Sequence, residues 1–232
     1  MKENLRRKII LAADDFGLSE KANERIIELA KLGKLDRVSI MVDGIFKEEE
    51  IKDILNSKLE IDIHFDLVNK IERDGIFGEN PIKRIIHFVF HYFTRRAEVK
   101  SIKNDWLRQI EKFQNIFGKS PQGINSHQHI HFFPPYFKVA VKIAKNKNIQ
   151  YIRFGKKGFL GNSTIVFLVL SFFRKRNFDF LNSSKLESSD YLASADWIKN
   201  TNRFLSKLPE GKTELVFHPE KKKEFEIIKK YF

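Results

Sequence analysis

The 232-residue chain contains no cysteine. That excludes a disulfide framework, a thiolate-held zinc, an iron–sulfur cluster and a thiol nucleophile. Any metal would have to sit on imidazole and carboxylate. Long apolar runs are also missing. The longest spans Ile165 to Leu170 and continues past Ser171 into Phe172 and Phe173, well short of the roughly 20 residues of a spanning helix. Near the N-terminus the apolar stretch Ile9 to Ala13 is stopped by two aspartates, too short for the core of a signal peptide. The expected compartment is the cytoplasm. Acidic residues are in deficit, 30 against 43 Lys and Arg, leaving a net charge of +13. Such a charge raises nucleic acid or an anionic membrane as partners. The lysines are scattered from Lys2 to Lys230, without a recognition helix, an RNP-like pattern or zinc-finger spacing, so nucleic acid is not expected. Peripheral contact with a membrane, and a homodimer, are left open.

With 42% hydrophobic and 31% charged residues, the composition is that of a globular chain. One domain over residues 1–232 is expected. The apolar patterning predicts strands over Lys8–Ala13, Arg37–Val42, Leu59–Phe65, Gly123–His127, Ile149–Phe154 and Glu214–His218. Helices are predicted over Ser19–Leu32, Lys47–Asn56, Pro81–Tyr92, Val99–Phe117, Tyr136–Lys147, Thr164–Arg174, Tyr191–Ser206 and from Pro219 onward. Ser19 is placed to cap its helix, with Gly33 and Gly118 as stops. Asn69–Asn80 is expected to be a loop. Strands alternating with helices imply an α/β fold with a mainly parallel sheet.

The polar residues fall at the ends of these strands. Asp14 and Asp15 close the first, His64 the third, His127 the strand from Gly123, with His129 and His131 just after it, and His218 the last. Five of the seven histidines thus sit at strand ends, where parallel α/β folds gather their active sites on one rim. Adjacent strand residues point to opposite faces, so Asp14 and Asp15 can hold different tasks, one binding a cation and the other taking a proton. On a strand the three histidines of Ser126-His127-Gln128-His129-Ile130-His131 would share a face. One or two could reach an ion, the rest orienting ligands or lining a pocket. Two imidazoles and one carboxylate leave open positions on a divalent ion. His218, followed by Pro219, can supply an acid from across the rim.

Together these segments resemble the YdjC-like carbohydrate deacetylase family, which includes the chitooligosaccharide deacetylases. The matching residues are Ala12 with Asp14-Asp15-Phe16-Gly17-Leu18-Ser19, then His64-Phe65 with Leu67, the run Ser126 to His131 followed by Phe133-Pro134, and His218-Pro219. Arg73-Asp74-Gly75 with Gly78 is similar to the family's loop after the His64 strand. The resemblance implies a distorted or incomplete β/α (TIM-like) barrel and metal-dependent removal of an N-acetyl group from an amino sugar, free or lipid-linked. It implies one divalent ion, Mg2+ or Zn2+, on Asp15, His64 and His127, with Asp14 as base. Asn125 stands where the family usually has Asp, and Asp62 where Gly is common.

The expected reaction has Asp14 taking a proton from water and His218 giving one to the leaving amine. A metal-dependent phosphoesterase and a non-catalytic sugar- or lipid-head-group-binding protein are the alternatives. Phe16, Phe65 and Phe133 are expected to be buried packing in preference to sugar platforms. The apolar stretch Thr164 to Phe173, followed by Arg174-Lys175-Arg176, is expected to be a core helix of the barrel wall. Its alternative is a helix with one face left free for an anionic membrane surface.

Overall fold

The computed structural model describes residues 2–67, 98–162 and 165–232. The loop expected over Asn69–Asn80, with Arg73-Asp74-Gly75 and Gly78, and the helix expected over Pro81–Tyr92 lie outside the described residues.

The strands are β1 (Ile9–Phe16), β2 (Arg37–Ile40), β3 (Glu60–Phe65), β4 (Gly123–Ser126), β5 (Tyr151–Ile152), β6 (Gly158–Phe159), β7 (Tyr191–Ser194) and β8 (Thr213–Phe217). They form one sheet in the order β5-β4-β3-β2-β1-β8-β7-β6, every pairing parallel. The helices are α1 (Lys2–Lys8), α2 (Glu20–Lys31), α3 (Glu48–Asn56), α4 (Glu98–Phe117), α5 (Pro134–Asn146), α6 (Ile165–Ser184), α7 (Thr201–Leu205) and α8 (Lys222–Tyr231).

The two edge strands, β5 and β6, are successive pieces of one stretch of chain. The segment leading into β7 runs beside both. Ile152 N donates to Glu187 O at 3.0 Å and Glu187 N to Gln150 O at 2.8 Å, while Leu160 N donates to Leu192 O at 2.8 Å. The sheet is thereby curled into a distorted, incomplete α/β barrel, as the sequence implies.

Most predicted elements stand where the patterning puts them. Ser19 caps α2 by accepting from Ala22 N at 3.1 Å, and Trp106, Ile110, Phe113 and Phe117 form the buried stripe of α4. The helix expected over Tyr191–Ser206 is a correction. Its first four residues are β7, held between β6 and β8, then a 3-10 turn at Ala195–Trp197, then α7, capped by Asn200 accepting from Arg203 N at 2.9 Å. Tertiary pairing overrides the helical pattern there, because Leu192 and Ala193 are fully buried in the sheet. The short β6 and α1 are further elements that the patterning does not reveal. Helix α6 is longer than expected, and its apolar half is a core helix on one face alone: Leu170 is buried, while Ile165, Leu168 and Phe172 are exposed. Phe16, Phe65 and Phe133 are buried, Phe65 stacking on Trp106 at 4.5 Å.

The strands are buried on both faces, but the two faces differ. Leu11, Val38, Ile40, Ile61, Ile63, Ile124, Leu215 and Phe217 join an apolar core with helix residues such as Ile26, Trp106 and Phe137. The alternate positions are polar. Arg37 and Ser39 on β2, Asp62 and His64 on β3, Asn125 on β4, Tyr151 and Arg153 on and just after β5, and Glu214 on β8 are all buried. Period-2 alternation therefore separates apolar from hydrogen-bonded side chains, not buried from exposed.

The Arg37–Asp62 pair anchors the lower part of this polar face. Arg37 donates to the Asp62 carboxylate at 2.8 Å and 2.5 Å and lies 4.0 Å over the Tyr151 ring. The pair explains why Asp62 can stand where the family often has Gly. The neighbouring strand pays with Gly123, where a Cβ would come within 2.7 Å of the Arg37 guanidinium and closer still to Asp62. Asp62→Ala would leave Arg37 buried without its counter-charge. A loss of about 3–5 kcal/mol is expected, read as a fall in urea midpoint. A stability within about 0.5 kcal/mol of the parent, the range of an ordinary surface change, would contradict the pair's role.

Candidate active site

Asp14 and Asp15 do not face opposite ways, as simple alternation predicts. Asp15 takes a left-handed backbone with φ of +69°, and the register of β1 against β2 shifts between Ala13 and Phe16. This turn brings both carboxylates beside His64, whose Nδ1 is 3.9 Å from Asp14 Oδ2 and whose Nε2 is 3.2 Å from Asp15 Oδ1. The following Gly17 is required by its own φ of +102° and by contact with Met41 O, 2.7 Å from where a Cβ would stand. Its N–H donates to Asn23 Oδ1 at 2.7 Å.

Asp15, His64 and His127 form the three-residue cluster expected from the sequence. One donor atom from each lies within 4.8 Å of the others. His127 Nδ1 is 3.0 Å from the same Asp15 oxygen that faces His64. Burial raises the proton affinity of the Asp15 carboxyl, but the hydrogen bonds and charges of His127 and His64 outweigh it and hold its pKa well below the usual range. For His64, burial opposes the charged form, while Asp14 and Asp15 outweigh it and raise its pKa.

Two observations show that these residues fit a divalent cation. Tetrahedral donors around a zinc ion at 2.0–2.2 Å stand about 3.4 Å apart, close to the 3.2 Å and 3.0 Å that Asp15 keeps to the two imidazoles. The polar interior also pairs its carboxylates unevenly: Arg37 holds Asp62, and Arg153 holds both Asp14 and Glu214. Asp15 has no arginine partner among the described residues and faces His64 and His127, where a dication would supply the missing positive charge.

Asp14 is not part of that cluster. Arg153 grips it with two bonds, Nη1 to Oδ2 at 2.6 Å and Nη2 to Oδ1 at 2.8 Å, and Ser39 Oγ donates to Oδ1 at 2.7 Å. Burial favours the neutral acid, yet Arg153 outweighs it and Asp14 is held far below the usual carboxylate range. From Asp14 the network runs back to the cluster. Asn125 Nδ2 donates to Ser39 Oγ at 2.9 Å, and Asn125 Oδ1 accepts from His64 Nδ1. That bond leaves His64 Nε2 on the Asp15 side. An amide at position 125 can accept from His64 and donate to Ser39 at once, which a carboxylate cannot.

The three histidines of the 127–131 run do not share a face. Strand β4 ends at Ser126 and the chain enters a 3-10 turn in which Gln128 and His129 have φ of +53° and +57°. Each imidazole is therefore turned to a different neighbour. His131 is buried, its Nδ1 2.7 Å from Ser126 Oγ and its Nε2 3.0 Å from the carbonyl of Arg153. It buttresses the backbone that carries Arg153. His129 packs 5.6 Å from Trp197. Burial, then the nearby Arg153, lowers its pKa to about 3, so it stays neutral.

His218 directly follows β8. Its N–H donates to Glu224 Oε2 at 2.7 Å and its Nδ1 is 3.2 Å from the same oxygen. Burial disfavours the imidazolium, but Glu224, with Asp15 and Asp14 behind it, raises the pKa. Sequence reasoning missed Glu224, Ser39, Glu214 and Arg153. For Arg153 a signal exists: a lone charge in the apolar run Tyr151-Ile152-Arg153-Phe154, in a strand that parallel-sheet packing buries on both faces.

The family model described as YdjC-like protein matches residues 8–230. A carbohydrate deacetylase from Danio rerio is 21% identical over 159 residues, covering 63% of this chain and 49% of its own length; the chain thus spans about half the length of this relative. A crystal structure from Enterococcus faecalis V583, assigned provisionally to cellobiose-phosphate cleavage, superposes with a TM-score of 0.64 at 19% identity, over 91% of this chain and 80% of the other. That likeness is one of fold. With nearly its whole length matched by the family model, and the Asp15, His64 and His127 cluster assembled on the barrel rim, the chain belongs to the YdjC-like family.

Proposed function

We propose that this protein is a metal-dependent N-deacetylase that hydrolyses the acetamido group of an N-acetylated amino sugar. The observation that carries the reading is the convergence of the Asp15, His64 and His127 cluster with an ionised carboxylate, Asp14, and a raised-pKa imidazole, His218, in a YdjC-like chain. The Danio rerio relative named as a carbohydrate deacetylase supports the choice of reaction.

Asp15, His64 and His127 would hold the ion. A divalent ion there supplies Lewis-acid polarisation of an amide carbonyl and acidifies water. Two imidazoles and one carboxylate suit zinc and its first-row neighbours better than magnesium, which prefers an all-oxygen shell. Asp14 accepts the water's proton. Arg153 and Ser39 fix its two oxygens and keep it ionised, at the cost of proton affinity. His218, protonated and held by Glu224, donates to the nitrogen of the leaving amine. A phosphoesterase working through two ions would need a second ligand set, and the described residues contain one such cluster.

Acetate release from N-acetylated sugars should be abolished by chelator and restored by zinc or another first-row divalent ion. Release that persists in metal-depleted protein would overturn the reading. Asp14→Asn should cut turnover by about 10²–10⁴-fold while metal binding, read by calorimetry, stays near the parent value. Asp15→Asn should weaken metal binding itself by about 100-fold or more, beyond the loss typical of outer-shell partners. Equal loss of metal in both variants would mean that the two roles are misassigned.

The pH profile tests His218 separately. Its acid form is required, so activity falls as pH rises through its raised pKa. Glu224→Gln removes the carboxylate that raises it, and the alkaline limb should move to lower pH. Asp14, held ionised by Arg153, contributes no acid limb in the working range. An alkaline limb unmoved in Glu224→Gln would remove His218 from the mechanism.

A further inference from the structure

The apolar half of α6 carries two faces with different fates. The inner face packs on the rim: Phe167 on Trp197 at 5.6 Å, Phe173 on Phe133 at 5.2 Å. Further along, Asn177 Nδ2 donates to Phe132 O at 2.7 Å. The outer face exposes Ile165, Leu168 and Phe172, at 56%, 58% and 53% of their full surface. At positions i, i+3 and i+7 they form one stripe rather than three scattered side chains. Continued along the same face, the stripe reaches Lys175 and Arg176, both exposed, and then Asp179. The Arg176 guanidinium lies 5.1 Å over the Phe172 ring, joining the apolar and basic parts. Arg174, the first of the three basic residues, is not part of this face, because its Nη1 donates to the Lys156 carbonyl at 2.8 Å.

The proportions suit a lipid interface. From Ile165 to Phe172 the helix rises about 10 Å, and the basic pair follows about 5 Å later. A helix tilted with its first turns toward the bilayer would therefore put the apolar side chains in the acyl boundary, roughly 5–10 Å deep, and the basic pair at head-group level. No helix among the described residues is long and apolar enough to cross a membrane, so the contact is peripheral. Charge selects the occupant. A second copy of this chain would bring another +13 against the same basic pair, whereas an anionic bilayer complements both.

We propose that the outer face of α6 docks the protein on an anionic membrane surface, with Ile165, Leu168 and Phe172 inserted and Lys175 and Arg176 on the head groups. In parallel β/α folds a helix that follows a strand begins at the rim where the active site lies. Docking by the first two turns of α6 therefore turns that rim toward the bilayer. Resting on the proposed deacetylase reading, this selects an N-acetylated amino sugar carried on a lipid.

The test is co-sedimentation of the full chain with vesicles of phosphatidylcholine alone or mixed with phosphatidylglycerol, at low and high salt. Binding to the anionic vesicles at low salt is expected. Leu168→Ser with Phe172→Ser should weaken it about tenfold or more, and Lys175→Gln and Arg176→Gln about fivefold each, with the melting temperature unchanged. The proposal is overturned by no binding at low salt, or by binding that none of these substitutions alters, which would be the unspecific pull of net charge. It is also overturned if the apolar substitutions lower the melting temperature or dissociate a dimer without affecting sedimentation. Acetate release separates the two readings. The four substitutions should spare release from a water-soluble sugar and lower it from a lipid-linked sugar in anionic vesicles. No release from either overturns the deacetylase reading and leaves the sedimentation result standing.

Discussion

The structure turns on one buried guanidinium. Arg153 is fully buried and bridges two carboxylates, Asp14 through Nη1 and Nη2 and Glu214 through Nε at 2.6 Å. Glu214 in turn accepts from Tyr151 Oη at 2.6 Å. In the sheet β5 pairs with β4, and β1 stands three places further along. The ion pairs therefore cross the barrel interior and join strands that share no ladder. A charge placed so deep is tolerable only when paired and hydrogen-bonded. Each partner is thus fixed by the others, and the rigidity that results is what places Asp14 beside the candidate metal cluster. Stability and site geometry depend here on the same bonds.

That arrangement imposes a chemical compromise. A free carboxylate in a dry barrel would be a strong base but would tend to pick up a proton and go neutral. Arg153 reverses this, keeping Asp14 charged and lowering its affinity for the proton it is proposed to take. Asp15, by contrast, has no arginine partner among the described residues and faces His64 and His127. The same imbalance that raises the pKa of His64 is what a dication would relieve.

The sequence displayed the rim better than the interior. Asp14, Asp15, His64, His127 and His218 could be found because each ends a short apolar run, and strand ends converge in parallel folds. What holds them could not be found so easily. Arg153, Ser39 and Glu214 are separated by long stretches of chain, and only barrel curvature brings them together. The turn at His127–Phe132 was illegible for a local reason. A histidine run alternating with Gln128 and Ile130 has the period of a strand, and nothing in residue type announces two left-handed conformations in succession. β7 was hidden by the opposite effect, since Tyr191 to Ser206 has an acceptable helical pattern and only the neighbouring β6 and β8 decide its state. Asn125 and Asp62, visible as departures from the family pattern, are explained by their partners, His64 and Ser39 for the first and Arg37 for the second.

The exposed stripe of α6 and the candidate site are not independent features of the surface. Phe167, on the inner face of the helix, contacts Trp197, and Trp197 contacts His129 of the histidine run. Two ring contacts therefore connect the helix to the segment that begins with the candidate ligand His127. An α-helix with its side chains is about 10–12 Å across. Whatever covers the outer face of α6 would lie roughly one helix diameter from those inner-face aromatic rings. A free sugar in water gains nothing from that proximity, but a sugar tethered at a bilayer would be presented at the height of the rim. The cost of exposing three large apolar side chains there is unexplained by folding, since the inner face of the helix already meets the core. It becomes intelligible if that face has a second surface to meet.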